Sequence, residues 1–538
     1  MQKKRGLRIR ALQTFRIDCG ALESNPLTED AGLSRIMDRN SLDNSRVAPA
    51  APATSVALSG ATGDSLTFPL PLSPFEDYML TDDRASHPMV IVMLVDVRGS
   101  LNEQEFRESV REVLHAHPLL RCRIESIHGC NVWIPCETTP DPVQWEILTT
   151  GRPEERFPEV CPLNVRAGQG LRIHVYRGEH NARVILELHH CCCDGIAAVQ
   201  LIGELFARYG QKSAPAASLQ PEFAEPDANL LPLRTETPTE NKAAPPARRS
   251  LTRLCGKIGR LLLRRPSRLA DSRQRAAHAA TGSTFQPHRQ SIFFRTLSRD
   301  AYRAIRGVVV RHRVTFNDLL LREMLLHVRD WNSTAGIATP ASWVRIAVPI
   351  SMRSPMHADI PACNLVSYAL VTHRMQECNQ PENLLRVIHE KTSSLLSGRE
   401  GLIALRLFAL LRRIPGAMRC FLSQWACAGS LVLANVGDVR RRFRGRFPLE
   451  DGKWIAGNVI VDRIAGVSPV RPETLVALAV AEYAGEVTIS LKTDGSVISR
   501  EDSERFLDEF LDRLLSQIPA TESQPAAVSD NPANPTRY

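Results

Sequence analysis

Residues 183–210, RVILELHHCCCDGIAAVQLIGELFARYG, contain the pattern that decides the fold. The apolar run 184–188 predicts a buried strand, and this strand ends at two adjacent histidines. The residues after Gly195 predict a helix that is closed by Gly210. The two histidines therefore sit where a strand meets a turn and a helix, a place where one imidazole is free to face a cleft.

His189 and His190 cannot both point into one pocket if the strand continues through them, because successive strand residues face opposite sides of a sheet. This spacing disfavours a metal site, since two-histidine chelation usually uses helical or alternate-strand spacing. We predict no bound metal and no other bound cofactor. Histidine is, however, the side chain best suited to exchange a proton near neutral pH. The same residues also fit an ordinary strand end with two hydrogen-bonded histidines and three inert thiols.

The flanking sequence alternates strands and helices. Residues 89–99 predict a buried strand, and the helix that follows begins at Asn102 and Glu105, which are spaced as a capping box. A strand, two helices and another strand follow from about residue 284, and residues 486–518 end the pattern with a strand and an amphipathic helix. The pattern predicts a mixed α/β (α+β) fold in two halves of similar content.

Several segments resemble the condensation-domain and CoA-dependent acyltransferase superfamily. HHCCCDG matches its HHxxxDG motif at the strand–turn–helix position. Weaker similarities occur in the family's order along residues 70–515, in FEDYML, HPLLRCRI, PLNVRAGQGLRIHV, TFNDLLL, VPISMR and LANVGD. Among the branches, the sequence is nearest to the wax-ester synthase/diacylglycerol acyltransferases and the alcohol acyltransferases. It departs from them at Ala434, where serine is usual, and the DFGWG block of condensation domains is not recognisable.

The resemblance implies a chloramphenicol acetyltransferase-like fold with two subdomains around a central tunnel. In that arrangement a thioester donor and an acceptor enter from opposite faces and meet at the motif. The family's second histidine corresponds to His190, which would be the general base, and His189 would have a structural role beside it.

The resemblance also implies how the motif is supported. Asp194 would turn away from the substrate and pair with an arginine, for which we select Arg121 in the matching LLR block. Gly195 would allow the turn backbone to approach closely. Asn317 and Asn435 are candidate substrate contacts or oxyanion donors, and both also fit ordinary helix-cap and loop roles.

We therefore expect an acyltransferase that moves an acyl group from a thioester, with acyl-CoA as the first choice of donor, to a hydroxyl of a small-molecule acceptor. One alternative is a stand-alone condensation enzyme that takes its acyl group from a carrier protein and forms an amide or an ester. Another is a catalytically silent homologue that binds lipid or a protein partner. In both enzymes the thioester is a co-substrate.

The composition of the 538 residues predicts five regions. They are a disordered leader (1–66), an N-terminal acyltransferase subdomain with the motif (67–211), a linker with a basic amphipathic segment (212–283), a C-terminal acyltransferase subdomain (284–518) and a disordered tail (519–538).

The net charge of +9 is concentrated in two short segments. Residues 1–17 contain six basic residues and residues 248–268 contain eight, with no acidic residue in either, so the remainder carries −5. This distribution argues against a nucleic-acid partner. On a helix, 248–268 places leucines opposite arginines, which predicts either contact with an anionic membrane or a helix packed on the protein itself. A third run, 440–446, fits the phosphates of CoA, an acidic carrier protein or plain solvent.

The cysteines and the apolar runs indicate the cellular compartment of the protein. The 13 cysteines are odd in number and include three in succession, which fits a reducing cytoplasm better than a disulfide framework. No apolar run is long enough to span a membrane, and the N-terminus lacks the apolar centre of a secretory signal. We predict a cytoplasmic protein, with peripheral membrane contact through 248–268 as an open alternative.

Overall fold

Six of the described α-helices begin after a polar residue whose side chain accepts a hydrogen bond from the first turn, and Asn102 is one of them, as the sequence predicts. The computed structural model describes residues 56–58, 66–214, 224–235, 256, 259, 263–278, 287–288, 292–396, 401–424, 429–519 and 528–529. Its α-helices are α1 (Pro74–Asp82), α2 (Glu103–Ala116), α3 (Gly195–Ser213), α4 (Ser272–His278), α5 (Arg299–His312), α6 (Phe316–Thr334), α7 (Pro381–Leu396), α8 (Gly401–Leu411), α9 (Ala417–Gln424) and α10 (Arg500–Leu515).

The strands form two large sheets and two small ones in the described part of the chain. Their bounds are β1 (Val56–Leu58), β2 (Leu66–Phe68), β3 (Leu70–Pro71), β4 (Val90–Gly99), β5 (Cys122–Ile127), β6 (Cys130–Pro135), β7 (Val143–Ile147), β8 (Leu171–Arg177), β9 (Asn181–His189), β10 (Ile292–Leu297), β11 (Trp343–Ser351), β12 (Val366–Arg374), β13 (Leu431–Asp438), β14 (Leu449–Glu450), β15 (Lys453–Ala456), β16 (Val459–Val467), β17 (Val476–Tyr483), β18 (Glu486–Thr493) and β19 (Val528–Ser529).

The first large sheet carries the motif. Its strand order is β14–β15–β16–β4–β9–β8–β7, and β4 and β9 pair antiparallel with Val90 opposite His189. One face of β4 and β9 packs in a common apolar core with α2 and α3, which include the buried residues Phe106 and Ile202. We call this sheet with α2 and α3 the first lobe.

The second large sheet has the order β12–β11–β13–β17–β18–β10–β19. Its core includes apolar residues of α5, α6 and α10, and we call this sheet with those helices the second lobe. The lobes meet where Ile292 and Phe294 of β10 pack against Val92 of β4 and Ile185 of β9. The mixed α/β fold predicted from the sequence is confirmed.

The chain crosses between the lobes late in the sequence. Strand β16 hydrogen-bonds antiparallel to β4, with Val461 opposite Val97, although it lies within the predicted C-terminal subdomain. The first sheet is therefore completed by residues far from the motif in sequence. The predicted subdomain boundaries stay a prediction.

One local expectation differs from the structure. Helix α3 continues past Gly210 to Ser213, because Gly210 serves a close approach: a Cβ there would lie 3.0 Å from the backbone nitrogen of Gly457. Within the predicted leader, β1 pairs with β2, and within the predicted tail, β19 pairs with β10. The predicted leader and tail stay predictions.

Candidate active site

The motif turn, residues 189–195, joins β9 to α3. The backbone nitrogen of His190 donates to the carbonyl of Met89 at 2.7 Å, which continues the pairing of β9 with β4 by one residue. Asp194 then caps α3, since its Oδ1 accepts from the Ala197 amide at 2.9 Å. The five residues between the strand and the helix are thus fixed at both ends, and all five are buried.

His189 is held by its neighbours. Its side chain is fully buried, and its Nδ1 accepts a hydrogen bond from the Cys191 amide at 3.1 Å. Its Nε2 lies 3.4 Å from Oδ2 of Asp83. Burial alone would raise the pKa of Asp83, but His189 and the Met89 amide outweigh it and lower the pKa. These contacts support a structural role for His189.

His190 is placed differently. It is 7% exposed, its ring centroid lies 6.1 Å from that of Phe75, and its Nδ1 is buried without a hydrogen-bond partner in the described residues. Burial lowers the pKa of His190 below its ordinary value, and backbone hydrogen bonding and the nearby Asp194 only partly oppose this shift. The imidazole is therefore neutral at pH 7, as a proton acceptor must be.

The partner of Asp194 is Arg353, which ends the VPISMR segment, and not Arg121. Nη1 of Arg353 lies 2.7 Å from Oδ2 of Asp194, and the Leu365 amide donates to the same oxygen at 2.8 Å. Burial raises the pKa of Asp194, but the Arg353 guanidinium outweighs it and holds this pKa below its ordinary value. Arg121 instead ends the 3₁₀ turn after α2, where its Nη2 donates to the His115 carbonyl at 3.4 Å.

Asn364 is a second residue that the sequence analysis missed. Its Nδ2 donates to the carbonyls of His190 at 2.6 Å and of Cys191 at 2.8 Å, so one amide holds two successive carbonyls of the motif turn. Arg353 could have been found, because it lies in a segment that already resembled the family. Asn364 lies in ACNLVS, where the chain itself gives no comparable signal.

The other predicted residues lie at different distances from the motif. A Cβ on Gly195 would make ordinary contact, 3.5 Å, with Val436, so β13 passes beside the start of α3. Asn435 on that strand is exposed, and its Oδ1 accepts from the Gly437 amide at 2.9 Å. Asn317 lies in the first turn of α6 with its Oδ1 buried and unpartnered, and within the described residues nothing connects it to the motif.

The three consecutive cysteines are not a reactive site. Cys191, Cys192 and Cys193 are fully buried, and burial raises the pKa of each thiol. They therefore stay protonated at neutral pH. Among the described residues, no group of histidine, cysteine, aspartate or glutamate side chains has an arrangement that would hold a metal ion.

Residues 248–268 and 440–446 are the two basic segments that remain to be placed. Most of 248–268 lies outside the described residues, so its predicted membrane contact stays a prediction. The run 440–446 follows β13, and the Phe443 ring fills the space above Gly203, where any Cβ would collide with it. Arg442 donates to the Ala358 carbonyl at 2.9 Å, while Arg441 and Arg444 are exposed.

Comparisons with known proteins agree with this fold. Residues 79–227 match the family model of the condensation domain. No curated protein matches the chain in sequence. The fold is similar to the first condensation domain of the calcium-dependent antibiotic synthetase in complex with a substrate analogue, at 14% identity and a TM-score of 0.59 over 86% of this chain and 99% of that chain.

Two further solved structures are similar. Trichothecene 15-O-acetyltransferase from Fusarium sporotrichioides is 11% identical, with a TM-score of 0.58 over 83% of this chain and 94% of that one. The starter condensation domain of rhizomide synthetase, in complex with C8-CoA and Leu-SNAC, is 12% identical, with a TM-score of 0.54 over 86% of this chain and 98% of that one.

The fold and the motif turn define a mixed α/β protein with a condensation-domain-like architecture. The family match covers residues 79–227, and over most of the chain the likeness to solved condensation domains and an acetyltransferase is one of fold. The chain's nearer likeness to the wax-ester and alcohol acyltransferase branches stays a prediction. No described helix combines the length and the apolar character that crossing a membrane requires.

Proposed function

We propose that this protein is an acyltransferase that moves an acyl group from a thioester to a hydroxyl acceptor, with His190 as the general base. The observation that carries the proposal is the state of His190: a neutral imidazole whose backbone is fixed on both sides while its Nδ1 has no hydrogen-bond partner among the described residues.

The reaction can be written with its atoms balanced. His190 takes the proton of the acceptor hydroxyl while that oxygen attacks the thioester carbonyl, and the resulting tetrahedral intermediate expels the thiolate as the ester forms. The thiolate then takes the proton from His190, which restores the neutral base. A positioned base of this kind typically contributes about 10²–10⁴-fold in rate, so substrate positioning supplies much of the rest.

Acyl-CoA is our proposed donor. The similarity to a starter condensation domain that was solved with C8-CoA supports this choice, as does the exposed arginine pair Arg441 and Arg444, which flanks Phe443 beside Gly203 of α3. The match to the condensation-domain family favours a second candidate, in which the acyl group arrives on a carrier protein. We place either reaction in the cytoplasm, where acyl thioesters are made.

The test is thiol release. The full chain is incubated with acyl-CoA or with an acyl-loaded carrier protein, with and without an alcohol acceptor, and free thiol is measured over time. Acceptor-dependent release from acyl-CoA that is lost in His190→Ala is the expected result. Release from the loaded carrier alone would favour the condensation reaction, and no release from either donor would favour the silent homologue.

A further inference from the structure

The hairpin of helices α8 and α9, residues 401–424, has an unusual composition for a partly exposed element. Apart from Gly401 and Arg406, every residue of α8 is apolar. A helix that is apolar all round is normally covered on all sides. Among the described residues, only one side of α8 is covered, so the other side calls for a partner.

The covered side packs beside the candidate active site. Phe408, Met418 and Leu422 are buried in the core of the first lobe. The Phe408 ring stacks on that of Tyr78 in α1, with centroids 4.4 Å apart and planes 4° apart. Arg412 donates to the Leu72 carbonyl at 2.8 Å, which holds the hairpin to the start of α1.

The uncovered side is apolar at its tip. Leu410 is 53% exposed and Ile414 is 56% exposed, and the two residues are four apart in sequence. Ile403 and Leu407 are only half-buried. Large apolar side chains that are grouped on one exposed element mark a contact surface more often than single ones do.

The charged residues of the hairpin itself all have one sign, although Arg412 lies 3.2 Å from a carboxylate oxygen of Asp77 in α1. Residues 401–424 contain four arginines and no aspartate or glutamate. Arg413 and Arg419 are exposed, and neither has a carboxylate partner among the described residues. Apolar side chains next to unpaired arginines are what an anionic lipid surface binds, through burial of the apolar groups and attraction to the headgroups.

We propose that the outer side of the hairpin 401–424 docks on an anionic lipid surface. A second copy of this chain fits less well, because an isologous contact would bring Arg413 and Arg419 of both copies together with no acidic residue on the hairpin to pair with them. Docking here also has a consequence for substrate. The ring centroid of Phe408 lies 6.2 Å from that of Phe75, which in turn lies 6.1 Å from that of His190. The lipid surface would therefore lie close to the base.

The experiment is vesicle co-sedimentation of the full chain, and it does not depend on activity. Phosphatidylcholine vesicles are compared with mixed phosphatidylcholine–phosphatidylglycerol vesicles, at low and at moderate salt. One variant combines Leu410→Ser with Ile414→Ser, and another combines Arg413→Gln with Arg419→Gln. The matched control combines Val310→Ser with Leu449→Ser, which are comparably exposed residues elsewhere on the molecule.

We expect the unmodified chain to bind the anionic vesicles and to bind less at higher salt. Loss of the two arginines should weaken binding about fivefold per charge, loss of the two apolar side chains should weaken it at least about tenfold, and the control should bind as the unmodified chain does. The arginine variant changes exposed side chains only, so it keeps the test valid even if the serine variant does not fold.

A fourth variant separates the hairpin from the basic segment by replacing Arg253, Lys257, Arg260 and Arg264 with Gln. Loss of binding in the hairpin variants supports the proposal whether or not this fourth variant also loses binding. Failure of the unmodified chain to bind overturns it, as does loss in the fourth variant alone. Light scattering measures the oligomeric state of the unmodified chain. A dimer that the Leu410→Ser/Ile414→Ser variant dissociates would also overturn the proposal, because the hairpin would then be a contact between two copies.

Discussion

The motif turn and the segment 353–365, between β11 and β12, meet at His190 from different parts of the chain. The turn carries the group that can exchange a proton. The segment carries hydrogen-bond donors, namely Arg353, the Asn364 side chain and the Leu365 amide, and all three bind oxygens of the turn. One segment therefore supplies the chemistry and the other supplies the geometry.

The two segments also differ in how local their contacts are. Within the turn, Asp194 caps its own helix three residues on, and His189 accepts from a backbone amide two residues on. The contacts from the second segment cross between 159 and 174 residues of sequence. The turn can thus begin to form by itself, but the conformation that holds His190 exists only when both lobes have folded together.

Removing the reacting group should have the largest effect. His190→Ala should lower the rate of acyl transfer by about 10²–10⁴-fold, because the proton acceptor is lost while the backbone contacts of the turn remain. The measurement is thiol release at saturating donor. His180→Ala, on an exposed residue between β8 and β9, is the matched control and should keep full activity. More than a tenth of the normal rate in His190→Ala would contradict the assignment.

Breaking the ion pair between the segments should mainly affect folding. Arg353→Met or Asp194→Leu alone should lower the free energy of unfolding by roughly 3–5 kcal/mol, because each leaves a buried charge without its partner. The double variant should cost less than the sum of the two single variants. Urea unfolding measures all three, with Arg121→Met as a control that should change stability by less than about 1 kcal/mol. Additive single effects would show that the two side chains do not interact.

Asn364→Ala tests geometry without touching the reacting group. Loss of the amide frees the carbonyls of His190 and Cys191, so we expect kcat to fall by roughly 10–100-fold through misplacement of the imidazole. KM should change little, because the residue binds the turn and not the substrate. Asn317→Ala is the control, and steady-state kinetics of both variants give the comparison. An equal loss in both would remove Asn364 from a positioning role and restore Asn317 as a candidate.

The smallest expected effect is a shift in pH dependence. A general base works in its neutral form, and burial lowers the pKa of His190, so activity should persist to lower pH than an exposed histidine would allow. The acid limb of kcat/KM should therefore have its midpoint below about 6.5, the ordinary histidine value. A midpoint above that value would mean that His190 gains a charged partner in the working enzyme, or that another group is the base.

The errors of the sequence analysis show where local reasoning ends. Arg121 lies in a block that resembles the family, yet many arginines in this chain can reach a carboxylate, and which one does depends on how the lobes pack. Glycine often closes helices, which predicts a helix end at Gly210, whereas here its missing side chain makes room for the backbone at Gly457. In both cases the residue type indicated a kind of structural role, but the sequence did not indicate which residue it contacts.

By itself the sequence determined the strand–turn–helix around the motif, the alternation of strands and helices, and the separate surroundings of His189 and His190. These follow from periods of two and 3.6 residues and from caps that act within one turn. Only the tertiary structure decided that Arg353 and Asn364 hold the motif turn, that His190 is buried enough to stay neutral, and that α8 is covered on one side alone. Such properties depend on burial and on contacts between residues far apart in the chain, and these come into being only when the two lobes pack against each other.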